Sequence, residues 1–348
     1  MAAYTTIDNP ELYFQVKLYT GNGSAGHAIT LDGDENMQPD LVWIKQRDSR
    51  DHFLFNSVVG ATKYVASNLD QAEQTDANTL TGFDSDGFTL GNGVGVNENT
   101  DGHVAWCWKA GTSFTNDASA TSVGTIDSTG SSNSTSRFSV LTYTGTGSSG
   151  SIAHNLGSAP TTLFVKRRGS SDSWTVGHNS NGWGGFLRLD TTQAFGSNTN
   201  TWTNTAPTST VFTLNHNDVN NDGTTFVAYC FAEKQGFSKF GSYTGNGNAN
   251  GPFVYTGFRP AFVLQKSTAV QGWQLQDNER EGFNGDNDLL QPHDSAAESG
   301  VNRVDLLSNG FKVITTDAGQ NTDDQKYVYW AFAEQPFVNS NGVPANAR

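Results

Sequence analysis

A string written three times in one chain constrains the fold more than any composition can, because each copy has to build the same local structure. Tyr19-Thr20-Gly21-Asn22-Gly23, Tyr143-Thr144-Gly145-Thr146-Gly147 and Tyr243-Thr244-Gly245-Asn246-Gly247 are such copies. Downstream stand Val104-Ala105-Trp106-Cys107-Trp108, Val227-Ala228-Tyr229-Cys230-Phe231 and Val328-Tyr329-Trp330-Ala331-Phe332. From the tyrosine to Cys107, Cys230 and Ala331 the separations are 88, 87 and 88 residues. Pro39, Pro160 and Pro260 each lead by six residues to Lys45, Lys166 and Lys266, and an aromatic follows at Phe53, Trp174 and Trp273. A repeat of roughly 100 residues exceeds a solenoid unit and matches a domain with its own core.

The spacing divides the chain into a first module over 1–110, a second over 137–236, a third over 237–338 and a tail over 339–348. Tyr19 to Tyr143 is 124 residues but Tyr143 to Tyr243 is 100. The surplus falls in 111–136, almost pure Ser, Thr, Asn, Asp and Gly, and reads as an exposed flexible linker with few side chains to bury. On that reading the first module is the anchor, and modules two and three, which meet directly, move as a unit.

Within a module the apolar period is two, and runs such as LVWI and TLFV are short and rich in β-branched and aromatic residues, as strands buried on both faces are. Asn-Gly and Asp-Gly punctuation recurs at the spacing of sandwiches and barrels. Residues 61–74 are the best helix candidate, diluted by Val, Ser and Asn. The fold class is all-β, in three tandem β-sandwich, jelly-roll-like modules. No run approaches the length of a membrane helix, so membrane insertion is not expected, and the N-terminal residues lack the pattern of a secretory signal. The net charge of −14 repels phosphate backbones and argues against nucleic acid. Two cysteines make neither a disulfide scaffold nor a zinc site, and their shared column calls for a small buried apolar residue.

Motifs that suggest chemistry meet plainer readings. Gly21 to Gly26 and Gly145 to Gly150 spell GxGxxG, but no helix pattern follows, so a hairpin turn is expected. Asp218, Asn220 and Asp222 resemble the first half of a calcium loop, yet Tyr229 stands where the bidentate Glu is needed. No metal or other cofactor is expected, with calcium at these three residues the weak candidate. No catalytic constellation emerges, and the expectation is a non-enzymatic protein. Trp183 and Trp202, with His178 and Asn181 nearby, are the candidates for an exposed platform that binds a glycan or receptor.

YTGNG, PDLVWIK, GFDSDGFTLG, VAWCWKAG and YWAFAEQPF together resemble the modules of marine and cyanobacterial tailed-bacteriophage virion proteins of the tail-fibre or appendage type. The resemblance implies a structural protein on the virion exterior, assembled in the bacterial cytoplasm, that contributes to host attachment. Its implied partners are other virion proteins, further copies of itself (a homotrimer) and a host surface glycan or receptor. Alternatives are a capsid decoration or head-fibre protein, a lectin-like protein and, last, a polysaccharide depolymerase.

Overall fold

Each module opens with a seven-residue strand, Phe14–Thr20, Phe138–Thr144 or Ser238–Thr244, that carries the repeated tyrosine near its end. That strand pairs antiparallel with the module's last strand, Gly102–Trp108, Thr225–Phe231 or Lys326–Pro336, placing Tyr19, Tyr143 and Tyr243 opposite His103, Phe226 and Tyr327. On its other side the last strand pairs with Leu41–Gln46, Thr162–Arg167 or Phe258–Ser267, so the chain's final strand lies inside the sheet. A smaller sheet covers one face: His27–Ile29, Gly87–Leu90 and Leu80–Asp84 in module 1, Gly150–Ala153 with Val211–Leu214 in module 2, and Phe253–Tyr255, Gly310–Val313 and Val304–Leu307 in module 3. The protein is therefore all-β and built of sandwiches. This is a computed structural model, and it describes residues 4–280, 284–285 and 287–345.

Alternation along the strands sorts side chains into two kinds of core. In the last strands Ala105, Cys107, Ala228, Cys230 and Ala331 face each module's own small sheet. Val104, Trp106 and Trp108 face the opposite way, as do Tyr229, Phe231, Trp330 and Phe332, and all enter one core shared by the three modules. The modules are thus arranged about a pseudo-threefold axis with the outer faces of their large sheets turned inward. Where they meet, an apolar cavity of about 40 Å³ remains among Trp43, Trp174, Phe262 and their neighbours, room for about one water and lined by nothing that would bond one.

The seams follow the same symmetry. Trp174 Nε1 donates to the Ala66 carbonyl of module 1 at 2.8 Å, and Trp273 Nε1 donates to the Arg188 carbonyl of module 2 at 2.7 Å. Strand register puts His52, not Phe53, in the third place of this column: Lys45, Lys166 and Lys266 precede the turn, and Lys45 and Lys266 pair with His52 and Trp273. His52 takes the indole of Trp43 on Nδ1 at 3.0 Å and turns Nε2 toward the Gln291 carbonyl of module 3, without a well-formed hydrogen bond. Phe53 points to module 1's own core instead. Each module passes a loop to the next. Glu73 N bonds Arg168 O at 2.9 Å, Phe195 N bonds Thr268 O at 2.9 Å, and Glu298 N bonds Arg47 O at 2.8 Å, which closes the ring from module 3 to module 1. The lysine column is buried, and each ammonium is capped by loop carbonyls, for Lys166 those of Asp70 and Asp172.

Several expectations change. The stretch 111–136 is not a flexible linker: Thr112–Asn116 and Ser128–Asn133 form a hairpin that extends module 2's large sheet, with Ser128 opposite Tyr143. Its Ser and Thr side chains did not need a core, because the strand edge of Phe138–Thr144 supplied backbone partners. The hinge on which an independent first module rested is gone. Residues 61–74 hold strands Lys63–Ala66 and Gln74–Thr75 rather than a helix, since Val65 buries into the shared core and tertiary packing overrides weak propensity. The glycine turns cross from the large sheet to the small one instead of closing a hairpin. The tail is described as far as residue 345, and 346–348 lie outside the described residues.

The cysteines behave as the column required. Cys107 and Cys230 are fully buried and unpaired, in separate cores, and burial raises both thiols well above their ordinary range. Native protein should therefore leave both unmodified by a thiol reagent over minutes, with two equivalents reacting after denaturation. Stoichiometric reaction in the native state would contradict the packing.

Candidate functional site

The expected aromatic platform lies inside module 2. Trp202 is fully buried and Trp183 only 5% exposed, their rings edge-to-face at 5.9 Å. Trp202 Nε1 donates to Gly185 O at 3.1 Å and Trp183 Nε1 to Asn179 Oδ1 at 3.3 Å. The physical reason is that module 2's small sheet has two strands where its sisters have three, and the tryptophan pair fills the space. Gly177 admits them, since a Cβ there would lie 2.6 Å from Trp183 and 3.0 Å from Trp202. His178 is buried with its ring edge-on to Trp330 at 4.7 Å, and burial pushes it down to about 3. Asn181 ends the short turn Asn179–Asn181 beside it. Trp183, Trp202 and His178 are therefore not placed to meet a glycan, and Asn181 is half-buried.

The calcium string is occupied by the protein itself. The Asp218 carboxylate is held by Arg188, and His216 Nδ1 accepts from the Asp218 backbone N–H at 3.3 Å. Asn220 is fully buried: its Oδ1 accepts from Thr146 N at 2.9 Å and its amide donates to Ser148 O at 2.5 Å. Asp222 is exposed on the following turn, so the three do not converge as ligands. Among the described residues no cluster of three His, Cys, Asp or Glu side chains is placed to hold a metal.

Asn220 has sisters, and they explain the repeated signature. Asn97 Oδ1 accepts from Asn22 N at 2.9 Å and Asn321 Oδ1 from Asn246 N at 2.8 Å. The tyrosine hydroxyls donate to the carbonyl just before each asparagine, Val96, Val219 and Gln320, at 2.8, 2.6 and 2.7 Å. Gly21, Gly145 and Gly245 are required because a Cβ would fall within 2.0–2.3 Å of the Glu98, Asn221 and Thr322 carbonyl oxygens. The glycine two residues on has φ of +63° to +68°. Thus Tyr-Thr-Gly-x-Gly is one half of a lock whose other half, a buried Asn, lies about 75 residues later. Replacing Asn220 by Ala removes two part-buried hydrogen bonds, from the Thr146 N–H and to the Ser148 carbonyl, and should cost roughly 1–3 kcal/mol, read as a lower guanidinium midpoint. Asn220→Asp recovers only the acceptor and should rescue partially at most. An unchanged midpoint in either variant would remove the lock.

What remains for recognition is on the surface. Two polar clefts flank the hairpin, about 540 Å³ against module 1 and about 760 Å³ along module 2. Most of their charged groups already have duties: Asp40 accepts from Ala110 N and Gly111 N, Asp117 caps the turn Ala118–Thr121, Asp127 accepts from Ala118 N, and Arg168 pairs with Glu73 at 2.6 Å. The three aspartates hold the hairpin and the approach to it, and Arg168 belongs to the seam between modules 1 and 2. The outer face of module 3's small sheet is different. Phe253 and Tyr255 stand on it 48% and 52% exposed, the only half-exposed aromatics among the described residues. Val254 between them points into the sandwich. The Tyr255 hydroxyl meets that of Tyr4 at 3.1 Å, and Lys312, opposite Phe253 on the neighbouring strand, reaches Asn250. Sequence reading missed this pair because Phe-Val-Tyr alternates like any strand. Only comparison with the sister modules, once register is known, shows that aromatic side chains face outward here alone.

None of the curated proteins matches the chain. A family model does, over residues 9–336, from the first turn before module 1 to the end of module 3's last strand. The match spans all three modules and the hairpin between them, so the whole ring is the family's unit. The chain belongs to the family described as a domain of unknown function, DUF7483.

Proposed function

We propose that the chain is a non-enzymatic structural protein of the exterior of a bacteriophage particle, an appendage or fibre component that contributes to host attachment. The observation that supports this most is the shared core. Side chains on the outer faces of three sheets, which in separate sandwiches would line open surfaces, are consumed in holding the modules together. Such an arrangement favours a rigid three-lobed building block over an enzyme with a hinged cleft. The sequence resemblance points the same way. A single chain with pseudo-threefold symmetry also suits a threefold axis, which keeps capsid decoration or a head fibre as the second reading.

Immunogold electron microscopy of purified phage particles, with antibody against this chain, tests the proposal. Gold on tail or fibres supports it, and gold over the capsid selects the second reading. Particles without label, confirmed by mass spectrometry of their proteins, overturn both. Analytical ultracentrifugation measures whether the expected homotrimer forms, or whether one three-lobed chain suffices.

A further inference from the structure

The three modules act as internal controls for one another. Strand pairing sets Ile29 against Phe88, Ile152 against Phe212 and Val254 against Phe311, so these inward positions correspond. The outward neighbours are then Ala28 and Thr30 in module 1, Ser151 and Ala153 in module 2, the latter buried beside Ser128 of the hairpin, and Phe253 and Tyr255 in module 3. In two modules the outward pair is small or polar; in the third both are aromatic. The contact with the sandwich is made by Val254, and the Tyr255 hydroxyl also meets that of Tyr4 at 3.1 Å.

Residues two apart on a strand place their side chains about 6.6 Å apart on one face. The two rings therefore offer adjacent flat apolar surfaces, with polar groups at the border. Lys312 is the cross-strand partner of Phe253, Asp305 is the partner of Lys312, and exposed Asn250 adjoins the lysine. Rings beside an ammonium, a carboxylate and an amide match the chemistry of a sugar, whose C–H faces stack on aromatics while its hydroxyls need donors and acceptors. Size argues against a protein partner. Two half-exposed aromatic side chains present roughly 200 Å², against about 800 Å² per partner in a standard protein interface.

We infer that the outer face of the Phe253–Tyr255 strand is a saccharide-binding site that stacks pyranose rings on Phe253 and Tyr255. This deepens the attachment reading and rests on it for its biological setting, but the binding itself is measurable on the isolated chain.

The test is an array of neutral and uronic-acid pyranose oligosaccharides, probed with full-length protein and followed by interferometry on the hits. The expected result is binding in the micromolar to millimolar range, reduced at least tenfold in the double variant Phe253→Ala/Tyr255→Ala. Both rings are half-exposed and the Tyr255 hydroxyl gives up only its contact with Tyr4, so the variant should stay folded with a small drop in melting temperature; Phe253→Trp/Tyr255→Trp, which keeps stacking surface, should retain binding. Preference for the uronic acids would assign a role to Lys312, and equal binding of neutral sugars would rest the site on stacking. No saccharide bound by wild type, or binding that survives the alanine pair, overturns the inference. Concentration-dependent self-association lost in the same variant would overturn it in favour of a contact between copies. Immunogold on particles is unaffected by any of these outcomes, so failure here and failure of the particle reading are separate results.

Discussion

Trp330→Ala will destabilise all three modules together, by about 3–5 kcal/mol. Trp330 is 1% exposed, belongs to module 3, and spends its contacts on a neighbour: its indole donates to Thr162 Oγ1 of module 2 at 2.9 Å and lies 5.5 Å from the ring of Phe164 and 4.7 Å from that of His178. It also packs on Trp273 at 5.2 Å. Because the core is common, wild-type protein should melt in a single calorimetric transition, and the variant should keep one transition at a lower temperature. Phe88→Ala, in module 1's own core, is the companion variant. If Trp330→Ala moves only one of several resolved transitions, the modules are independent and the shared core is not what holds them.

The second large effect is acid lability. His103 and His154 are pushed down to about 4 and His178 to about 3, each chiefly by burial, and burial also lowers His52. A histidine depressed in the fold binds its proton more readily in the unfolded chain. Its contribution is therefore intact above the ordinary value near 6.5 and is lost as pH falls toward the folded value. His103, His154 and His178 are each worth on the order of 3 kcal/mol across that window. Asp172, Asp190 and Glu298, raised by burial, work in the opposite sense as pH falls, but their displacements are smaller. The net expectation is a loss of several kcal/mol between pH 6.5 and 4, seen as a falling guanidinium midpoint. Replacing His154 by Gln should flatten that slope, and a midpoint constant down to pH 4 would contradict the burial of these rings. At the alkaline end Lys45, Lys166 and Lys266, pushed down to about 8 by burial, contribute stability from pH 8 toward 10.5 because the unfolded chain alone holds their protons, while the buried thiols and tyrosine hydroxyls, raised by burial, oppose them over the same range.

Much of this architecture is written locally. The threefold repeat, the all-β class, the cysteine column and the buried character of LVWI and TLFV follow from spacing and alternation, because period-two burial acts within a strand and its immediate neighbours. The tyrosine–glycine half of each turn lock is visible for the same reason. Its asparagine partner about 75 residues away is not, since nothing in the intervening chain encodes the register that brings Asn97 to Asn22. Serine and threonine did not distinguish a linker from the 112–133 hairpin, because backbone pairing to a waiting strand edge needs no apolar side chain. Trp183 and Trp202 look exposed among Asn and Gly, yet the small sheet of module 2 lacks a strand and their rings fill it. Phe253 and Tyr255 look like core, yet the pleat turns them outward. The sequence alone determined three copies of one β unit. That the copies share a single core, and which aromatics are left facing water, was decided only when the sheets packed, because burial of a side chain depends on what the opposite face of its sheet meets.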